Sequence, residues 1–111
     1  MTLNDYQKTA RLTANYKEKL IYPTIGLNGE AGEVAEKVKK WMRDDKRILT
    51  DKRKLAIALE LGDVLWYVAS LASDLGITLQ AVAELNNQKL KNRVKNNTIN
   101  GDGDYRELSI K

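Results

Sequence analysis

Two pairs of carboxylates, Glu30/Glu33 and Glu60/Asp63, are the residues of this 111-residue chain best suited to chemistry. Within each pair the members stand three residues apart, which puts both on one face of a helix. Glu60 and Asp63 lie in the middle of IALELGDVLWYVASLA, a stretch whose apolar side chains cover most of a helix circumference. Neighbouring carboxylates in such surroundings repel each other and lose hydration, which costs several kcal/mol per ion unless cations compensate. Glu30 and Glu33 lie in GLNGEAGEVAEK, beside Gly29, Ala31 and Gly32, which are small enough to admit a second helix or a ligand. Four acids on two facing helices make a poor salt-bridge design. They suit magnesium, a hard ion that takes six oxygens in near-octahedral geometry from carboxylates, waters and phosphates. The plainer reading of Glu30/Glu33 is solvated helix surface, with Glu33–Lys37 and Glu36–Lys40 as i,i+4 pairs.

Composition narrows the chemistry further. The chain has neither cysteine nor histidine. That excludes disulfides, thiol nucleophiles, Cys–His zinc sites, Ser–His–Asp triads and a histidine base, and leaves oxygen ligands for any metal. Nineteen Lys+Arg against fifteen Asp+Glu give a net charge of +4, which suits a phosphate-bearing partner without separating nucleotide from nucleic acid. Asn86, Lys89 and Arg93 recur beside the apolar stripe Leu79, Val82, Ala83 and Leu90, so a core-facing stripe turns cationic and points at something anionic. The competing reading is that these cations simply favour a helix C-terminus. Neither G-x-x-x-x-G-K-[ST] nor G-x-G-x-x-G occurs. The run Asn100 to Asp104 starts like a calcium loop, but Tyr105 stands where glycine is required and Lys111 where the bidentate acid belongs.

The elements that must carry these residues read as four helices. The first is expected from Asn4, as N-cap, to Leu20, with Pro23 preventing its continuation. The second runs from Thr24 to Arg43 with a stripe of Leu27, Ala31, Val34, Val38 and Trp41. The third starts at Thr50 and ends at Gly76, a natural left-handed terminator, and is long enough to be the spine of a bundle. The fourth begins after Thr78 and reaches Lys95. The expected fold is all-α, a compact four-helix bundle-like domain over residues 1–95, with residues 96–111 a polar, Gly-rich C-terminal tail.

GEAGEVAEK (Gly29–Lys37) followed by ELGDVLWY (Glu60–Tyr67) resembles the MazG-like nucleoside triphosphate pyrophosphohydrolases of the all-α NTP pyrophosphatase superfamily, whose signature is E-E-x-x-E, a spacer, then E-x-x-D. Glu30 and Glu33 match the last two acids of the first block, and Glu60 and Asp63 the second; Gly29 replaces the first acid. LNNQKLKNR is similar to the family's N-x-x-K-L-x-x-R helix. The resemblance implies hydrolysis of a nucleoside triphosphate, with dNTP as the expected substrate, to the monophosphate and pyrophosphate, as house-cleaning of the nucleotide pool. It implies Mg²⁺, or Mn²⁺ in its place, on Glu30, Glu33, Glu60 and Asp63. One of these carboxylates, with Glu33 the preferred one, or the metal itself takes the proton of the attacking water. Asn86, Lys89 and Arg93 would then bind phosphate, and Tyr67, with Trp41 and Gln7, the nucleobase.

The surface around Leu61, Val64, Leu65, Val68 and Ala72 is more than a lone chain covers, and with the resemblance it points to a homodimer or homotetramer. Glu60 and Asp63 interrupt the longest apolar stretch, which argues against a membrane span, and the start of the chain has no apolar h-region, so the expected compartment is the cytoplasm. The alternative function is a basic helical nucleic-acid-binding or antitoxin-like module without catalysis, motivated by nine Lys/Arg between Lys37 and Lys54. The acid pairs count against nucleic acid, since a phosphate-binding surface gains nothing from buried carboxylates without metal. A third reading is a catalytically dead bundle that serves as an interaction scaffold.

Overall fold

A computed structural model describes residues 1–96, and within them every regular element is helical: α1 (Leu3–Arg11), α2 (Ile21–Asp44), α3 (Asp51–Asp74) and α4 (Leu79–Lys95). The expected all-α class is therefore observed. The tail beyond Asn96, with its calcium-loop-like run, lies outside the described residues. Two units can be distinguished: residues 1–79, which hold α1, α2 and α3, and residues 80–111, in which α4 is the described element.

In the first unit α3 is the spine, and both α2 and α1 pack against it. Its ends are set by local chemistry. Thr50 caps the start, its hydroxyl accepting from the Arg53 N–H at 3.1 Å. At the far end Gly76 adopts φ +74°, and the N–H groups of Gly76 and Ile77 return to the carbonyls of Ser73 and Ala72. Gln7 clasps the turn that follows: its amide donates to Ser73 Oγ (3.1 Å) and to the Ile77 carbonyl (3.0 Å), and its Oε1 accepts from the Leu79 N–H (2.8 Å). Around it lies a small core of Ala10, Ala69 and Leu79, flanked by Tyr6, Trp66 and Val68.

Three helix boundaries differ from expectation. The first helix is capped by Thr2 in a reciprocal box with Asp5, not by Asn4, and it stops at Arg11 instead of Leu20. Its continuation is diverted because Tyr16 and the Leu20 N–H are drawn to Asp74 on α3, a tertiary pull that local propensity does not encode. α2 starts at Ile21, ahead of Thr24, since Pro23 sits in the first turn, where its missing N–H removes no helical bond.

α3 is also less covered than its composition suggests. Burial is confined to its last third, at Ala69, Ser70 and Ala72, while Leu55, Leu59 and Leu61 remain more than half exposed. Its length and hydropathy alone would suit a membrane crossing; the Glu60 and Asp63 carboxylates midway along it fit packing against α2 instead.

Replacing Gly76 by alanine places a Cβ in the left-handed region and is expected to lower stability by about 1 kcal/mol, read as a lower denaturant midpoint at unchanged m-value.

Candidate active site

α2 and α3 form an antiparallel hairpin closed by residues 45–50, and its register decides which side chains meet. Gly26 lies against Tyr67, Glu30 meets Glu60 and Asp63, and Lys37 reaches Glu60. One carboxylate oxygen from each of Glu30, Glu60 and Asp63 falls within 4.8 Å of the others, the two glutamates half-buried and the aspartate exposed. Glu33, one turn along α2, is exposed and outside this set.

The electrostatics of the trio are adverse. Partial burial, followed by the charges of Asp63, Glu60 and Glu33 and a hydrogen bond shared with Glu60, holds the Glu30 carboxyl above its usual range. The cation offered in return is Lys37, whose Nζ stands 3.9 Å from Glu60. It does not pair with Glu33, while Glu36 takes both Lys39 and Lys40. Three hard oxygen donors, without nitrogen or sulfur and short of positive charge, match the needs of a divalent ion such as magnesium.

Beside the acids opens a cleft of about 290 Å³ lined by Glu30, Asp63, Trp66 and Tyr67. The two rings meet edge to face at 4.9 Å and 88°. Tyr67 lies so close over Gly26 that a Cβ there would overlap the phenol ring. Burial raises the Tyr67 hydroxyl pKa, helped by its hydrogen bond with Tyr22 and by the negative charges of Glu30 and Asp63. Behind the wall, Tyr22 sits 6.2 Å from Tyr67 and stacks on Tyr16 at 5.0 Å, and the Trp66 indole N–H donates to Thr13 Oγ1 at 2.9 Å.

Asp74 shows how the same fold treats a carboxylate with a structural task. Its fully buried side chain accepts from Arg11 (2.8 Å), the Tyr16 hydroxyl (2.8 Å) and the Leu20 N–H (3.0 Å). Burial works against its charge, but these three donors outweigh it and bring the pKa below the ordinary value.

Of the residues singled out from sequence, the hairpin gathers Glu30, Glu60, Asp63 and Tyr67, with Glu33 adjacent. Trp41, further along α2, keeps its indole N–H buried without a hydrogen-bond partner among the described residues. Gln7 lines another cleft, with Asn4, Lys8, Arg11, Ser73 and Thr78. Asn86, Lys89 and Arg93 are on α4, in the second unit, at the spacing read from sequence. Sequence reasoning passed over Trp66, Tyr22 and Gly26, and it paired Lys37 with Glu33 where the structure sets it against Glu60. The signal for Trp66 was available: it adjoins Tyr67 in ELGDVLWY, three residues after Asp63.

A family model described as the MazG nucleotide pyrophosphohydrolase domain matches residues 23–98, the span that holds α3, α4 and all but the first two residues of α2. The Gene 37 protein of Mycobacterium phage L5 is 43% identical over 114 residues, covering 96% of this chain and all of that protein. No solved structure matches.

Gly26→Ala is expected to push the Tyr67 ring out of the cleft while leaving the helices intact, visible as a changed near-ultraviolet circular dichroism signal at unchanged helicity. Because the Asp74 pKa is lowered by folding, its stabilisation is present above the unfolded value, about 3.9, and is lost as pH falls through the folded one. Asp74→Asn should therefore cost about 1–3 kcal/mol at pH 7 and flatten the acid limb of the stability profile.

Proposed function

Since this chain belongs to the MazG nucleotide pyrophosphohydrolase family, we propose that it converts a nucleoside triphosphate, a dNTP by preference, and water to the monophosphate and pyrophosphate, with Mg²⁺ as cofactor and Mn²⁺ as its substitute. The observation that carries the reading is the convergence of Glu30, Glu60 and Asp63 beside a cleft walled by Trp66 and Tyr67. Acid trio and aromatic wall together offer a place for a metal-bound phosphate chain and for a base.

Glu30, Glu60 and Asp63 would hold the ion, with Glu33 at the margin. Bound there, a divalent ion neutralises phosphate charge and makes a water more acidic. Glu33, outside the close trio, would accept the proton of the attacking water as the water oxygen bonds to the α-phosphorus and the α–β anhydride bond breaks, with pyrophosphate leaving. The faces of Tyr67 and Trp66 bound the base and keep water from that side of the cleft. Asn86, Lys89 and Arg93 are assigned to the departing pyrophosphate on the α4 motif, as charge-assisted donors.

The assembly forms part of the same proposal. Leu55, Leu59 and Leu61 of α3 are exposed together with Ile25, Val38 and Met42 of α2. A second copy, in a homodimer or homotetramer, is the cover we assign to them. Nucleotide-pool house-cleaning in the cytoplasm is the corresponding role.

The test is release of pyrophosphate from dNTPs with Mg²⁺ by the wild type and by Glu60→Gln and Asp63→Asn. Either substitution is expected to lower the rate roughly 100-fold or more, at unchanged helicity. Turnover that survives both changes, or orthophosphate as the product, would contradict the assignment.

A further inference from the structure

The connection between α1 and α2, residues 12–20, touches the aromatic wall of the cleft at several points without lining the cleft itself. Near its start Thr13 Oγ1 receives the indole N–H of Trp66 at 2.9 Å. In its middle the Tyr16 ring stacks on Tyr22 (5.0 Å, 15°) and meets Trp66 edge-on (6.4 Å, 79°). Its end is fixed by Asp74, which accepts from both the Tyr16 hydroxyl and the Leu20 N–H.

The backbone at that end is strained. Leu20 has φ +66° and ψ −49°, and the Ile21 N–H closes onto the Lys19 carbonyl at 2.7 Å. This is a γ-turn with positive φ, the rarer and more strained of its two forms, and a leucine has no steric licence for it. Such a conformation persists where its surroundings over-determine it. Here the restraint comes from Asp74, itself neutralised by Arg11. Asp74 stands eleven residues beyond Asp63 on α3, about 16 Å along the helix axis, so this fastening does not involve the acid trio.

We propose that residues 12–20 are a strap that sets the position of the Trp66–Tyr67 wall, with Thr13 and Tyr16 as positioning residues for the nucleobase. The proposal rests on the nucleotide reading given above and deepens it: affinity for the base is governed from outside the cleft, through Trp66 and through Tyr22 behind Tyr67. Thr13 holds the indole by its only nitrogen donor. Tyr16 carries both an aromatic face against Tyr22 and a hydroxyl tied to α3, so its ring cannot slide without breaking a bond to a buried carboxylate.

Two variants isolate the fastenings with little change of volume. Thr13→Val removes the acceptor of Trp66 at an exposed position, and Tyr16→Phe keeps the ring but removes its bond to Asp74 together with the one it accepts from Arg11 at 2.9 Å. Each is expected to raise KM for a dNTP up to about 10-fold, the order of magnitude of a lost hydrogen bond, with kcat unchanged. A merely structural role gives the opposite pattern, because fewer folded molecules lower apparent kcat and leave KM alone.

The second readout is independent of turnover. In a Trp41→Phe background, where Trp66 is the remaining tryptophan, acrylamide quenching should increase in Thr13→Val over its parent. Unchanged quenching overturns the strap, whatever the kinetics. Increased quenching with unchanged KM overturns its link to the base. A wild type that turns over no nucleotide brings down the functional reading, and the strap's part in base binding with it. The quenching data still report whether Thr13 holds Trp66, so the two failures are distinguishable.

Discussion

The structure of the first unit turns on a repulsion. The hairpin register of α2 and α3 brings three carboxylates within 4.8 Å of one another, partly out of water. A fold under selection for stability alone would separate them, because like charges at this distance disfavour the ionised state of each. Glu30 records that cost in a raised pKa, and Lys37, 3.9 Å from Glu60, is too distant for a tight pair. A divalent cation would make the arrangement favourable, which is what supports the proposed metal role of these three oxygen donors.

Asp74 supplies the internal comparison. On the same helix, and more deeply buried, it has a guanidinium, a phenol and a backbone N–H within 3.0 Å and a lowered pKa. The chain thus contains a solved case of carboxylate burial, in which protein donors satisfy every demand. The Glu30–Glu60–Asp63 trio is built otherwise. That contrast gives Asp74 an architectural task and supports the proposal that the trio, drawn from α2 and α3, serves chemistry. It also links the two, because the strap that Asp74 anchors runs behind the aromatic wall next to the trio.

Much of this was legible in the sequence, for reasons that can be traced to particular residues. Thr50 and Gly76 marked the ends of α3 because a hydroxyl cap and a left-handed glycine act locally. The i,i+3 spacing of Glu60 and Asp63 fixed their common face before any tertiary contact was known. The end of the first helix was not legible, since what diverts the chain after Arg11 is Asp74, far away in sequence. Trp66 was overlooked as a wall of the cleft because an aromatic within an apolar helix reads as core, and its exposed edge depends on how α2 lies alongside. Gly26 drew no notice beside Gly29 and Gly32, because only the α2–α3 register shows that the Tyr67 ring occupies the space of its missing side chain. The exposure of Leu55 and Leu59 was hidden for a different reason: hydropathy tells that a surface should be covered, not by which chain.

If Glu30, Glu60 and Asp63 form a cation site, equilibrium binding of the ion alone will show it. Titrating Mg²⁺ into the nucleotide-free protein by calorimetry, in parallel with Asp63→Asn, requires no assumption about substrate or turnover. Saturable uptake is expected in the wild type, and its loss or strong weakening in the variant at unchanged helicity. Uptake of the same affinity in both proteins, or none in the wild type, would contradict it.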